Sequence, residues 1–156
     1  QARDSQRLSD LGSVKNAIGY YLSLGGGTAI PNSITCTADG CACPFSAGAC
    51  LSSVINKSTA VDGTGWVTGI NFNAVTIGAP LSDLPLDPKS NDSTYYYAYR
   101  GSATGNIFEL DGRLESEKYR SQMKTDGGDK QCPNSAANDW VTNCYYETGT
   151  ASGLNL

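Results

Sequence analysis

The chain has 156 residues, a length that suits a single domain with one hydrophobic core. Its net charge of −4 excludes the strong positive field that sequence-independent binding to nucleic acid or to an anionic membrane requires. The 18 glycines predict a loop-rich α+β or β-rich fold. The 6 cysteines favour disulfides and an oxidising compartment over the alternative of six reduced, buried thiols.

The first 24 residues predict a helix with one apolar face. Apolar side chains recur at three- and four-residue spacing, at Leu8, Leu11, Val14, Ile18 and Leu22. Gly25 to Gly27 supply a helix stop. Because nothing caps the first residues and the pattern is already running at Gln1, we expect this segment to be the second half of a longer helix.

Residues 25–65 read as an irregular segment in which disulfides replace a hydrophobic core. Four cysteines fall here: Cys36, Cys41, Cys43 and Cys50. We expect two disulfides among them, and the direct Cys41–Cys43 bond is the least favourable pairing. Zinc is the alternative, but the spacing lacks the close pairs typical of structural zinc sites. Further along, Cys132 and Cys144 bracket a second irregular loop, and we expect a bond between them.

A tyrosine-rich hairpin is the clearest strand signal. Residues 94–100 and 106–115 alternate around a turn at 101–105. The first strand places Tyr95, Tyr97 and Tyr99 on one face and Tyr96 on the other. These rings predict either a half-buried sheet or an exposed platform for stacking sugars or bases.

Shorter elements surround the hairpin. Residues 66–72 predict a strand or extended edge, 51–56 and 116–124 short helical turns, and 144–147 a last strand. Leu81, Leu84 and Leu86 lie in a proline-rich connection and are expected to anchor it in the core.

No arrangement of residues predicts catalysis. The chain contains no histidine, and it lacks nucleophile-elbow, phosphate-loop and dinucleotide motifs. A carboxylate pair drawn from Glu109, Asp111, Glu115 and Glu117 could in principle hydrolyse glycosides, but a solvated polar sheet face is the simpler interpretation. Likewise, Asp87 predicts an Asp-Pro turn more readily than a ligand or a catalytic acid. We therefore expect no enzyme.

One loop carries oxygen ligands of the kind that calcium prefers. The residues are Asp126, Asp129, Asn138 and Asp139. Calcium takes six to eight oxygens from carboxylates, amides and carbonyls, and glycine-rich loops let several converge. The alternative is a solvated acidic turn, because the spacing is not that of an EF-hand.

Several segments resemble the type IV pilins and type II secretion pseudopilins. They are ARDSQRLSDL (2–11), LPLDPKSND (84–92) with the tyrosines that follow, FELDGRLES (108–116), TDGGD (125–129) and YETGT (146–150). In that family a membrane-spanning apolar helix precedes this segment, its packing forms the filament core, and the globular domain forms the outer surface. The resemblance also implies a calcium in the C-terminal loop, as in major pseudopilins. It leaves residues 32–65 unexplained.

These observations predict one α+β domain over residues 1–156, with a long N-terminal helix packed on a small antiparallel sheet and disulfide-tied loops. Residues 1–24 would be the second half of the pilin helix, 25–65 a variable cysteine-rich region, and 66–156 the sheet and C-terminal loop. The expected function is that of a filament subunit that assembles with other pilin subunits. It would lie outside the cell or in the periplasm, after anchoring in the inner membrane, and need no cofactor except a possible calcium. The alternative is a secreted or surface-exposed adhesin module that binds through the tyrosine-rich sheet and cysteine-rich loop.

Overall fold

A computed structural model describes residues 1–24, 29–41, 44–45, 54–129, 144–150 and 156. The fold is α+β, with an N-terminal helix packed on a small, mainly antiparallel sheet. Among the described residues, no helix has the length and apolar character needed to cross a membrane.

Helix α1 spans Ala2–Leu24. Its buried face comprises Asp4, Arg7, Leu11, Val14, Ala17, Ile18 and Tyr21. The predicted helix and its apolar stripe are therefore confirmed, with Leu8 and Leu22 partly buried at the margins. Asp4 and Arg7 are buried on the same face and extend its three- and four-residue spacing toward the N-terminus, so the buried face is not purely apolar.

Within the described residues, the sheet has five strands in the order β2-β1-β3-β4-β5. Their bounds are β1 Ser33–Cys36, β2 Val54–Ile55, β3 Tyr97–Ser102, β4 Ile107–Gly112 and β5 Tyr146–Gly149. Strands β1, β3, β4 and β5 pair antiparallel, whereas the two-residue β2 pairs parallel to β1. Two short helices, α2 (Glu117–Arg120) and α3 (Gln122–Thr125), follow β4 as the sequence predicts.

One face of the sheet and helix α1 enclose the main core. Tyr97, Tyr99 and Leu110 point from the sheet into this core and meet the buried face of α1. Trp66 packs at the same layer, with its ring centroid 6.0 Å from that of Tyr97 and its indole N–H donating to the Pro85 carbonyl at 2.9 Å. Leu84 is buried, and Leu81 and Leu86 pack against the cluster, so the predicted anchoring role of these leucines is confirmed.

Several elements of the structure differ from the predicted ones, because pairing and packing with distant residues override the local sequence pattern. Residues 66–72 do not form the predicted strand. They follow a series of bends that leads into a 3₁₀ turn at Phe72–Ala74. Trp66 and Phe72 are buried in the main core beside α1 and not paired in the sheet. Val54–Ile55 is a strand and not a helical turn, while residues 51–53 lie outside the described part. Residues 25–65 were predicted to be irregular, but they contain strand β1. The last strand begins at Tyr146, two residues later than predicted.

The cysteine predictions are partly resolved. Cys36 and Cys41 form a disulfide, which removes two thiolates from the zinc alternative. Cys144 is also disulfide-bonded and fully buried. Cys43, Cys50 and Cys132 lie outside the described residues, so the second bond of the cluster and the Cys132–Cys144 bond stay predictions.

Candidate functional site

Arg7 is buried on the inner face of α1, where a charged side chain needs compensation. Its side chain is 0% exposed, as is that of Asp4 one turn earlier. The two form an ion pair of 2.8 Å. Desolvating a guanidinium is costly, so its hydrogen-bonding N–H groups must find acceptors within the fold.

Asp87 supplies most of that compensation. Its carboxylate accepts two hydrogen bonds from Arg7, at 2.6 Å from Nε and 2.9 Å from Nη2, across a separation of 80 residues. The same carboxylate accepts the backbone N–H of Lys89 at 2.7 Å, and the Ser90 N–H donates to the Asp87 carbonyl. The predicted Asp-Pro turn is thus confirmed, and its side chain also fastens the turn to the helix.

Glu115 and Asp4 join the helix to the segment that follows β4. Arg7 donates to Glu115 at 2.6 Å, and Arg3 adds two hydrogen bonds of 2.7 and 2.8 Å to the same carboxylate. Asp4 accepts the backbone N–H groups of Glu115 and Ser116, each at 2.8 Å. We call Asp4, Arg7, Asp87 and Glu115 the Arg7 cluster.

Contacts within the Arg7 cluster shift the pKa values of Arg7 and Glu115 in the direction that favours the charged form of each. Burial alone would lower the pKa of Arg7, but hydrogen bonding and attraction from Asp87, and hydrogen bonds from Glu115 and Asp4, raise it. Hydrogen bonds from Arg3, and then from Arg7, lower the pKa of Glu115 to about 2 against the effect of burial. Arg7 and Glu115 therefore favour their charged forms, and the cluster acts as a structural link between three parts of the chain.

A second group of charges lies on the opposite face of the sheet. Glu109, Asp111 and Glu147 are each buried, and one carboxylate oxygen from each lies within 4.8 Å of the others. The strand register explains this proximity: Asp111 sits opposite Glu147, and Glu109 is two residues along the same face of β4. We call these three residues the acidic cluster.

The solvated polar face predicted for Glu109 and Asp111 is therefore wrong. Both residues are 0% exposed, and a second apolar cluster packs on this face of the sheet. Tyr96, Tyr145 and Phe45 form an apolar cluster there with Cys36 and Ala98. Arg113 continues the row and donates to the Tyr145 hydroxyl at 2.7 Å. Glu115 does not belong to this row, since it turns to Arg7 instead.

The predicted calcium loop is only partly within the described residues. Asp126 is partly buried and accepts the N–H groups of Gly128 at 3.1 Å and Glu147 at 2.9 Å. Burial raises the pKa of Asp126 against these two hydrogen bonds. Asp129 is exposed, and its backbone N–H donates to the Glu147 carboxylate at 3.2 Å. Asn138 and Asp139 lie outside the described part, so their place in the loop is a prediction still.

Glu147 connects the predicted loop to the acidic cluster. The loop approaches so closely that a side chain at Gly128 would collide with the Glu147 carboxylate. A surface cavity of about 310 Å³, lined in part by Lys15, Asp126 and Glu147, opens beside it. Three carboxylates this close repel one another, and oxygen ligands are those that a divalent cation prefers. Glu109, Asp111 and Glu147 are thus the described carboxylates placed closely enough to share a divalent cation, and the predicted ligand set of the loop stays a prediction.

The tyrosines do not provide a stacking platform. Tyr95 to Tyr97 and Tyr99 are buried, on alternating faces as predicted. Tyr96 donates to or accepts from the Tyr145 hydroxyl at 2.8 Å, and the Tyr97 hydroxyl donates to Asp10 at 2.8 Å. Their rings fill the two layers of the domain, so the interpretation as buried sheet aromatics is confirmed.

Sequence reasoning missed the Arg7 cluster. Its signal was present, because positions 4, 7, 11, 14 and 18 form one continuous stripe on the helix. A charged residue on such a stripe indicates a buried partner, but the partners lie 80 and 108 residues away and could not be identified.

Comparison with known proteins adds no assignment. No family model, no curated protein and no solved structure matches the chain.

Proposed function

We propose that this domain is the globular part of a type IV pilin or pseudopilin, a structural subunit of a filament. The proposal combines the resemblance of residues 2–11, 84–92, 108–116, 125–129 and 146–150 with the α+β arrangement of one helix on an antiparallel sheet. In a filament of this kind the helix reaches the core, while the domain faces outward.

The observation that carries the proposal is the Arg7–Asp87 ion pair. A filament subunit has to keep its globular domain fixed to the helix that holds the subunit in place. Arg7 belongs to the first resembling segment and Asp87 to the second, and their buried contact joins those segments directly. Glu115, at the end of the third segment, binds the same guanidinium. The three segments thus form one mechanical connection between helix and domain.

The proposed partners are further copies of the same or related subunits. An apolar segment ahead of Gln1 would anchor the precursor in the inner membrane and later pack in the filament core. The assembled protein would then lie outside the cell or span the periplasm. No catalytic role is proposed.

Immunogold electron microscopy tests the proposal on the natural protein. Antibodies raised against residues 1–156 should label filaments on the cells or filaments assembled in the periplasm. Mass spectrometry of purified filaments should recover peptides of this chain. Deletion of the gene should remove the label, and its restoration should return it. Recovery of the protein only as free monomers, with no labelled filament, would overturn the proposal.

The adhesin alternative loses its main support. The rings that would have formed its binding platform are buried, with Tyr96, Tyr97 and Tyr99 at 1% exposure or less. Its other proposed surface, the cysteine-rich loop, is described except at residues 25–28, 42–43 and 46–53.

A further inference from the structure

The chain contains two Asn-x-Ser sequences, the acceptor pattern for N-linked glycosylation. They are Asn56-Lys57-Ser58 and Asn91-Asp92-Ser93. The pattern alone is weak evidence, since a transferase must also reach the asparagine amide and the serine hydroxyl on the surface. The structure distinguishes the two sites on this criterion.

Asn56 is held by the fold. Its amide nitrogen donates two hydrogen bonds, to the carbonyls of Thr64 at 3.1 Å and Gly65 at 2.9 Å. Its side-chain oxygen accepts the backbone N–H of Ser58 at 2.9 Å. A sugar on this nitrogen would replace at least one of these hydrogen bonds, so Asn56 is a poor acceptor in the folded chain.

Asn91, in contrast to Asn56, has a side chain that the described part of the fold does not hold. It is exposed in the turn that follows Pro88, and its carboxamide makes no hydrogen bond within the described part of the chain. The surrounding backbone is nevertheless well supported: Ser90 donates to the Asp87 carbonyl at 2.9 Å and Asp92 to the Lys89 carbonyl at 2.8 Å. Ser93 is exposed as well. The acceptor amide and its hydroxyl thus lie together on an ordered surface turn.

The neighbourhood leaves room for a sugar. A polar surface recess of about 250 Å³ adjoins the turn and is lined by Ala38, Asp39, Lys57, Ser90, Asn91 and Ser93. The Asp92 carboxylate is occupied by other partners, since it accepts the Thr94 N–H at 2.9 Å and pairs with Lys89 at 3.3 Å. Hydroxyl, amide and charged groups at this recess match the hydrogen-bonding needs of a carbohydrate.

We propose that Asn91 is a site of N-linked glycosylation and that Asn56 is not. The donor would be an oligosaccharide linked to a polyprenyl diphosphate. Its glycosidic C1–O bond breaks as a C1–Nδ2 bond forms, the amide loses one proton to a base of the transferase, and polyprenyl diphosphate leaves. A disulfide such as Cys36–Cys41 is typical of the oxidising, exported environment where such surface acceptors are found. The proposal holds whether or not the domain assembles into filaments.

The test is peptide mapping by mass spectrometry of the full-length protein purified from its natural cells. The peptide carrying Asn91 should show a glycan mass increment that is lost completely in Asn91→Gln and Ser93→Ala and retained in Ser93→Thr. The matched control Ser58→Ala removes the other acceptor pattern and should leave the increment unchanged. An unmodified Asn91 in the natural protein, or an increment that survives Asn91→Gln, would overturn the proposal. Because none of these outcomes depends on filament formation, they are separate from the test of the proposed function.

Discussion

At the scale of single residues, Arg7 shows how a charge can organise a small domain. Its guanidinium contacts three carboxylates that come from α1, the turn at Asp87 and the segment after β4. A buried ion pair is not stabilising by necessity, since desolvation offsets much of its attraction. Removing one partner is a different matter, because it leaves the other charges buried without compensation.

Arg7→Met should therefore be strongly destabilising. The substitution keeps most of the side-chain volume but leaves Asp4, Asp87 and Glu115 without their shared cation, and we expect a loss of about 3–5 kcal/mol in unfolding free energy. Urea denaturation followed by circular dichroism measures this loss. The control is Lys57→Ala, which removes an exposed ion pair to Asp39 and should cost about 0–1 kcal/mol. An Arg7→Met protein as stable as the control would show that the cluster contributes little.

Glu115 should make stability depend on pH in a defined window. Its pKa in the folded protein is about 2, below its ordinary value of 4.5. A lowered folded-state pKa contributes stability that is present above the unfolded-state pKa and is lost as the pH falls through the folded-state pKa. The contribution should therefore disappear between about pH 4.5 and pH 2.

Glu115→Gln should flatten the fall in stability across this acid window, because the glutamine cannot gain a proton there. Melting temperatures at intervals from pH 7 to pH 2 provide the measurement. Glu117→Gln, two residues away and exposed, is the control and should follow the wild-type curve. If the two variants give the same curve, the salt bridge to Glu115 is not the source of the acid sensitivity.

At the scale of elements, the pairing of β4 with β5 determines which carboxylates meet. Their register sets Asp111 opposite Glu147, and the Asp126–Gly128 loop closes over Glu147. The predicted calcium site thus gains three candidate ligands from strands. Calcium itself stays a prediction.

Calcium, if bound, should raise the melting temperature by several degrees. An ion that binds only the folded state at 100 times its dissociation constant adds about 2.7 kcal/mol, which corresponds to such a shift for a domain of this size. Melting in calcium, magnesium and chelator measures the effect, and magnesium should do much less because it requires a tighter octahedral site. Asp126→Ala and Asp111→Asn should each abolish the calcium shift.

Glu117→Gln serves again as the control, since it removes an exposed carboxylate outside the loop and the strands. It should keep the full calcium shift. Equal melting temperatures of the wild-type protein in calcium and in chelator would leave the loop as an acidic turn without a cation.

The described cysteines Cys36, Cys41 and Cys144 are all disulfide-bonded. The Cys36–Cys41 bond and the bonded, buried Cys144 agree with an oxidised chain. We predict three disulfides and no free thiol, with Cys132 bonded to Cys144. Alkylation of the unreduced protein should leave its mass unchanged, and peptide mapping should recover the 132–144 pair. A peptide joining Cys132 to the 36–50 cluster would contradict this pairing.

At the scale of the whole molecule, the domain consists of two layers on either side of one sheet. Helix α1 covers one face, and an apolar cluster with Tyr96, Tyr145 and Phe45 covers the other. The exposed side of α1 is thus free to face neighbouring subunits in the proposed filament.

The filament proposal predicts that the natural precursor carries about 20 mainly apolar residues ahead of Gln1, the length that spans a bilayer. A basic leader that ends in a small residue should come before them. Sequencing the gene upstream of the Gln1 codon checks this prediction. A cleavable secretory signal with an Ala-x-Ala site directly before Gln1 would contradict the filament proposal.

The sequence by itself determined the elements whose signal is local. The stripe of α1, the hairpin of β3 and β4, the anchoring leucines and the Asp87 turn all arise from side-chain periodicity or turn chemistry within a few residues. Each of these signals lies within a few residues of the feature it predicts, so no knowledge of distant residues is needed to find it.

Only the tertiary structure decided which polar residues are buried. Glu109 and Asp111 alternate as a solvated face should, yet a second layer covers them. Arg7 depends on Asp87, and Asp111 on the register with Glu147, across separations of 80 and 36 residues. Burial of a charge is settled by what packs over it from elsewhere in the chain, and local periodicity carries no information about that covering layer.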